Sequence, residues 1–253
     1  LRHHLGLPTL ADTISSIEKI TESKVLDIIS IAPDQNAQEH FFEQDKIDER
    51  LRGAGGVPVR SKEDFRALYE ASLRGNYPLL RCYSGTKDLI PFAKLLRDTI
   101  KNAWCAVPLC WYNVLDKRGP RPLGISIEEN QQVMKWHGEN NIPVEVNEAH
   151  HWSLRDAHDT IGVVMAYLAA YNAKAMGVKD YVAQYMFNVP ASISPKMDIA
   201  KMLAKIELIE SLEDEDFTCY RQARAGLASL PANLDQAKGQ LASSAYLAMA
   251  IKP

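Results

Sequence analysis

Residues 77–113 read YPLLRCYSGTKDLIPFAKLLRDTIKNAWCAVPLCWYN, and this stretch decides the fold. A β-rich run, YPLLRCYSG (77–85), gives way to a helical run from Asp88 to Lys101. Leu89, Phe92, Leu95, Leu96 and Ile100 recur there at helical spacing and mark its inner face. A second apolar run, WCAVPLCWYN (104–113), follows. Antiparallel strands can be joined by a short hairpin, whereas a helix-length crossover joins parallel ones, so the stretch predicts a parallel strand–helix–strand unit.

The same unit extends outward. Upstream, KVLDIISIA (24–32) is apolar and β-branched, and VPVR (57–60) is a short strand candidate after the turn signal GAGG. SKEDFRALYEASL (61–73) opens on Ser61 with Asp64 three positions later, the pattern of a capping box. Downstream, Ser126 with Glu129 predicts the start of a helix over 126–141, and IPVEVNEAHHW (142–152) predicts a strand. A strongly apolar helix over 159–176 ends at Gly177, a residue suited to the left-handed turn after a helix. Strands are expected over 179–188 and 217–226, and helices over 195–212 and 234–252. The repeat of about 30 residues points to a parallel (β/α)8 barrel, with a doubly wound open sheet as the other architecture that fits. About seven strands are countable, so the barrel is expected to be incomplete at its C-terminus. Residues 1–23 are expected to be a helical lead-in and 24–253 the barrel domain.

The 253 residues suffice for one large α/β domain, and 46% hydrophobic with 24% charged residues is ordinary for a globular chain. A net charge of −3 gives no electrostatic footprint for nucleic acid. No uninterrupted apolar run reaches membrane-spanning length. The first residues, LRHHLGLPTL, lack a signal-peptide core and a starting Met, so an excised piece of a cytoplasmic protein is expected. Cys82, Cys105, Cys110 and Cys219 form no CxxC pair and are expected to be buried thiols.

In a parallel α/β fold ligands bind beyond the C-terminal strand ends. Those ends carry polar and aromatic residues (PDQN, CYSGTKD, WYN, NEAHHW, QYMFN, RQAR), whereas the opposite ends are plain. The densest is NEAHHWSLRDAHDTIG (147–162). On a strand, His150 and His151 would point to opposite faces and could not share a metal ion unless the strand had already ended. Asp156-Ala-His158-Asp-Thr-Ile-Gly162 has one residue more than the Asp-x-His-x-x-Gly loop of cobalamin-binding domains, and the expectation is that Asp156 or Ser153 simply caps the next helix.

Taken together, the order of elements resembles the barrel (epsilon) subunit of glutamate mutase, also called methylaspartate mutase. The resemblance spans roughly residues 24–250 and is patchy. GGVPVRSKEDFRALYEASLRGNYPLLRCYSGTKD (55–88) has the layout that leads to the family's Arg-His-Gly-Thr-x-Asp. CWYNVL (110–115) is similar to its Ser-Tyr-Asn-Val-Pro, and IPVEVNEAHHW to its Val-His-Ile-Asn-Arg-Glu. GVKDYVAQYMF (177–187) is similar to its Gly-Val-Lys-Asn and the strand ending in Gly-Tyr-Gly, and YRQARAG (220–226) faintly to its His-Gln-Trp-Met-Gly-Gly.

The resemblance implies an adenosylcobalamin-dependent radical mutase, with a separate subunit or domain carrying the lower-face histidine and an oligomeric assembly. It carries over Tyr185, a catalytic candidate, and Asn113 on the cobalamin side; where the chain departs from the family, Glu148 is a further catalytic candidate, and Tyr83, Ser84, Asn147, His150 and His151 are candidates for substrate contacts. Asp34 and Gln35 would lie on the cofactor side as well. The chain departs from the family where substrate carboxylates are gripped. Tyr83-Ser84-Gly85-Thr86 stands at the Arg-His-Gly-Thr position, Val146-Asn147-Glu148 at Asn-Arg-Glu, and PDQNAQ (33–38) lacks the first arginine. A substrate other than glutamate is therefore expected, one with a cation or neutral polar groups. Two alternatives stand beside this reading: a barrel lyase or hydrolase using His150, His151 and Glu148 with acid–base or metal chemistry, and a non-catalytic barrel-like binding subunit.

Overall fold

The computed structural model describes residues 1–190, 193–226 and 230–253. The chain is α/β, and it divides into two compact units, Leu1–Val107 and Pro108–Pro253. Within each unit the strands follow chain order and pair in parallel, as the crossover argument requires. Seven strands occur among the described residues, one fewer than a closed (β/α)8 barrel has.

The first unit runs β1 (Arg2–Leu5), α1 (Leu10–Ser23), β2 (Ile28–Ile31), α2 (Gln35–His40), α3 (Lys62–Ser72), β3 (Leu79–Tyr83), α4 (Leu89–Ile100) and β4 (Cys105–Val107). β1 lies inside the segment expected to be a helical lead-in; it pairs with β2 from Arg2↔Ile28 to Leu5↔Ile31. Four residues containing two histidines have no apolar alternation of their own, so the edge of β2 sets this strand. The strand expected over 57–60 does not form. Only a single bridge, Pro33↔Val57, is made there, because Pro58 has no N–H to continue a ladder. β4 likewise stops at Val107, before Pro108, and the rest of the run to Asn113 is not strand.

Alternation along these strands separates two faces. Ile29 and Ile31 pack with Val57, Phe65, Leu68, Leu80 and Cys82 in the core. Ser30 therefore turns the other way, in register with His4 and Arg81. His4 Nδ1 lies 2.9 Å from Ser30 Oγ, and Arg81 Nη1 donates to that hydroxyl at 2.8 Å. The capping box forms as expected: Ser61 Oγ accepts from Asp64 N–H at 3.2 Å, and Asp64 Oδ2 accepts from Ser61 N–H at 2.9 Å.

The second unit runs α5 (Leu123–Glu139), β5 (Val144–Val146), α6 (Ala149–Ser153), α7 (Asp159–Ala175), β6 (Asp180–Phe187), α8 (Pro195–Glu210), β7 (Thr218–Ala225) and α9 (Leu234–Ala248). Helix α5 starts three residues before the expected Ser126, which is buried within it. Pro122, restricted in φ, opens the helix without any side-chain cap. β5 is only three residues long, so the predicted strand over 142–152 ends before the histidines, which lie on α6 instead. Neither Ser153 nor Asp156 caps α7; His158 does, its Nδ1 accepting the Thr160 N–H at 3.2 Å.

The buried side of α7 is Gly162, Ala166, Ala169, Ala170 and Ala173. Such small residues let a neighbouring helix approach closely, and α7 packs against α8. Gly177 sits just beyond α7 at φ +78, the left-handed conformation anticipated for it. A Gly177→Ala variant is expected to lose about 1 kcal/mol, measured by urea denaturation, although a Cβ there would meet no neighbouring atom.

Candidate functional site

The strand end singled out in the sequence is a packed cluster within the second unit. After Val146 the chain turns at Asn147 and Glu148 and enters α6. Helical geometry puts Trp152 one turn beyond Glu148, on the same side. The Trp152 indole Nε1–H donates to Glu148 Oε1 at 2.7 Å, and the Cys110 backbone N–H donates to Oε2 at 3.1 Å. Glu148 is fully buried. Burial pushes its carboxyl up to about 7, against the opposing pull of these two donors. Burial and the neighbouring Glu148 also drive the Cys110 thiol well above its ordinary range. Cys110 is therefore a protonated, unreactive thiol at neutral pH, as the sequence suggested.

Trp111, almost wholly buried, organises the rest. Its ring centroid is 5.0 Å from that of Trp152 and 5.3 Å from that of His151, and the Arg155 guanidinium lies over it at 4.3 Å. The His150 and His151 rings lie tilted against each other, with centroids 4.5 Å apart. Burial, followed by the charges of Arg118, Arg155 and Arg224, pushes His151 down to about 3, so its ring is neutral at physiological pH. Arg118 stacks on Tyr112 at 3.8 Å and pairs with Asp116 at 2.6 Å. Asp116 also accepts the Tyr112 and Asn113 N–H groups, each at 3.1 Å.

A polar row runs across the strands of this unit. Gln184 on β6 donates to Glu145 on β5 at 2.5 Å, and Arg224 on β7 donates to Gln184 at 3.4 Å. The register sets Gln184 beside Gln222. Tyr185, one residue on, faces the other way. It pairs in register with Ala223, on the β7 face from which Arg221 reaches Glu210 of α8. Tyr185, expected to be catalytic, thus lies on the face turned away from the Gln184 row.

The remaining expected site residues are distributed between the units. Asn113 is fully buried, its Oδ1 accepting the Leu115 N–H at 2.8 Å while its Nδ2 has no partner among the described residues. Asn147 is buried, and its Oδ1 has no partner among the described residues. In the first unit, Tyr83 and Ser84 are buried at the end of β3, where the Ser84 N–H donates to Ala106 O at 3.0 Å. Gln35 is exposed, its side chain reaching Glu39 at 3.5 Å and its N–H donating to Ala54 O at 3.1 Å.

Asp34 is a different matter. It is fully buried and caps α2 by accepting the Ala37 N–H at 2.9 Å. It also accepts the Gly53 N–H at 3.0 Å and two donors of Arg60 at 2.9 and 2.7 Å. With its acceptor positions filled, Asp34 clamps the fold and has nothing left for a cofactor. Replacing it by Asn keeps the shape but removes the charge facing Arg60. A loss of about 2 kcal/mol is expected on urea unfolding; a loss under about 0.5 kcal/mol would show that the clamp is dispensable.

Sequence reasoning missed Arg118, Arg155 and Arg224. They lie far apart along the chain, and only the fold brings their charges to bear on His151. Among the described residues no three His, Cys, Asp or Glu side chains are placed to hold a metal ion, and no helix is long and apolar enough to cross a membrane. A shallow depression at the C-terminal ends of α5 and α7, lined by Lys135, Glu139 and Ala175 among others, lies at the opposite ends of the strands from the Trp111 cluster. Compared with models of known families and with curated proteins, the sequence matches none.

Proposed function

We propose that the chain is the barrel subunit of an adenosylcobalamin-dependent radical mutase acting on a substrate other than glutamate. The observation that carries this reading is Glu148. It stands at the glutamate of the resembled Asn-Arg-Glu, beside Asn147 in place of the carboxylate-gripping arginine, and its carboxyl is buried, doubly hydrogen-bonded and raised to about 7. A group of that kind holds or moves a proton at neutral pH and does not grip a carboxylate. The parallel α/β alternation and the crowding of polar and aromatic groups at these strand ends support the same reading.

The buried, unpartnered Nδ2 of Asn113 fits a role toward the cofactor, because an unsatisfied donor at that depth calls for an acceptor from a bound group. Asp34 does not fit, being fully engaged within the fold. The cofactor, when bound, supplies radical generation by homolysis of its cobalt–carbon bond. The chain's own residues would shield and orient the substrate: Trp111 and Trp152 exclude water, Asn147 offers Oδ1 as an acceptor, and Glu148 exchanges a proton. A separate cobalamin-binding subunit or domain completes the assembly, which is cytoplasmic and oligomeric in this reading.

A second reading, an acid–base lyase without cobalamin, draws on the same raised Glu148. Retention experiments distinguish the two. Incubated with adenosylcobalamin and the partner subunit from the same cells, the full chain is expected to co-elute with corrinoid on gel filtration. Activity without retained corrinoid would overturn the mutase reading in favour of the lyase. Neither corrinoid nor activity would favour a binding subunit.

A further inference from the structure

The arginines absent from the expected positions have counterparts elsewhere. Arg155, just beyond α6, lies over the Trp111 ring at 4.3 Å and donates from Nη1 to His151 O at 3.1 Å. Its guanidinium is exposed, with no carboxylate within ion-pairing distance among the described residues. Arg118 is held by stacking on Tyr112 and by pairing with Asp116. Arg224 stands at the C-terminal end of β7. All three cations act on His151, and Asp116 is the acid that offsets them there. The ring beneath Arg155 carries a buried donor, the Trp111 Nε1–H, that has no acceptor among the described residues. Unpartnered buried donors are costly unless something accepts from them, and guanidinium forks match the geometry of oxyanions.

We propose that Arg155, Arg118 and Arg224, with the Trp111 indole N–H, form a binding site for a small ligand carrying one carboxylate or phosphate group. Asn147 Oδ1, an unpartnered acceptor, suits a donating group on the same ligand. This reverses the expectation of a purely cationic or neutral substrate. As a statement about the substrate it rests on the proposed function, but the binding itself is measurable without cobalamin.

The test follows the Trp111 indole N–H by NMR in the full chain labelled at tryptophan, the resonance being identified by its loss in Trp111→Phe. Inorganic phosphate, butyrate, butylamine and sodium chloride are titrated at matched ionic strength. A saturating downfield shift is expected with phosphate, butyrate or both, and none with butylamine or chloride. A response to butyrate alone marks a carboxylate site, and to phosphate alone a phosphate site. Arg155→Gln, at an exposed position, is expected to weaken binding about tenfold, and Arg224→Gln provides an independent second variant. An equal response to butylamine or chloride would overturn the proposal. So would no saturating anion response, or affinities unchanged in both variants. If anion binding holds while no corrinoid is retained, the oxyanion site stands and the mutase reading fails.

Discussion

Lys205→Met should make the protein more stable at pH 7, by about 3 kcal/mol. Lys205 lies on the buried side of α8, almost completely enclosed, and no described residue gives its amine a hydrogen bond or ion pair. Its neighbour one turn back, Lys201, takes the available partners: Asp159 at 2.9 Å, Asp198 at 3.8 Å, and Val189 O. Burial, and then the Lys201 charge, push the Lys205 amine down to about 7, with Asp198 and Asp159 opposing. Between about 7 and its ordinary value of 10.5 the unfolded chain therefore binds the proton that the folded chain releases. Stability consequently rises with pH through that window, and the penalty is full below it. Methionine keeps the length of the side chain and removes the charge. Urea unfolding at pH 7 and pH 10 should show the variant's advantage shrinking toward the alkaline end. A less stable variant at pH 7 would mean that the amine is stabilising after all.

The second large effect is expected at Glu148. If the chain acts as the proposed mutase, Glu148→Gln lowers its turnover at least about 100-fold while the chain still folds. The amide has one acceptor oxygen, whereas the carboxylate accepts from both Cys110 N–H and Trp152 Nε1–H. One of those donors then faces an NH2 group. The linkage has the opposite sign to that of Lys205. A carboxyl raised from 4.5 to about 7 holds its proton longer in the folded chain, so its contribution to stability is lost as pH rises through that interval. Relative to wild type, the Gln variant should gain stability between pH 5 and pH 8. It should also lack any inflection near pH 7 in its activity profile. Unchanged turnover would remove Glu148 from the chemistry.

These residues also show what the sequence made legible. Periodicity carried the long elements: the strands at 180–187 and 218–225 and the helices α4, α7 and α8 lie where apolar spacing puts them. Gly177 and the Ser61–Asp64 box behaved as local chemistry dictates. Short pieces were opaque, because four residues of β1 or five of α6 are too few to display a period. The error at α6 had the largest consequence. Read as strand, His150 and His151 diverge; as helix, their rings come into contact, and Trp152 returns to Glu148. Asp34 looked like a strand-end ligand because only the fold reveals Gly53 and Arg60 as its partners. The face on which Tyr185 lies is one step of alternation from that of Gln184, and the motif alone does not fix it.

The account's central claim, a cobalamin-dependent mutase barrel, is tested most directly on the complex isolated in dim light from the cells that make it. Its cobalt and zinc contents and its visible spectrum are measured. About one cobalt per barrel chain is expected, with the spectrum of an adenosylated corrinoid. An active complex with neither cobalt nor corrinoid would contradict it.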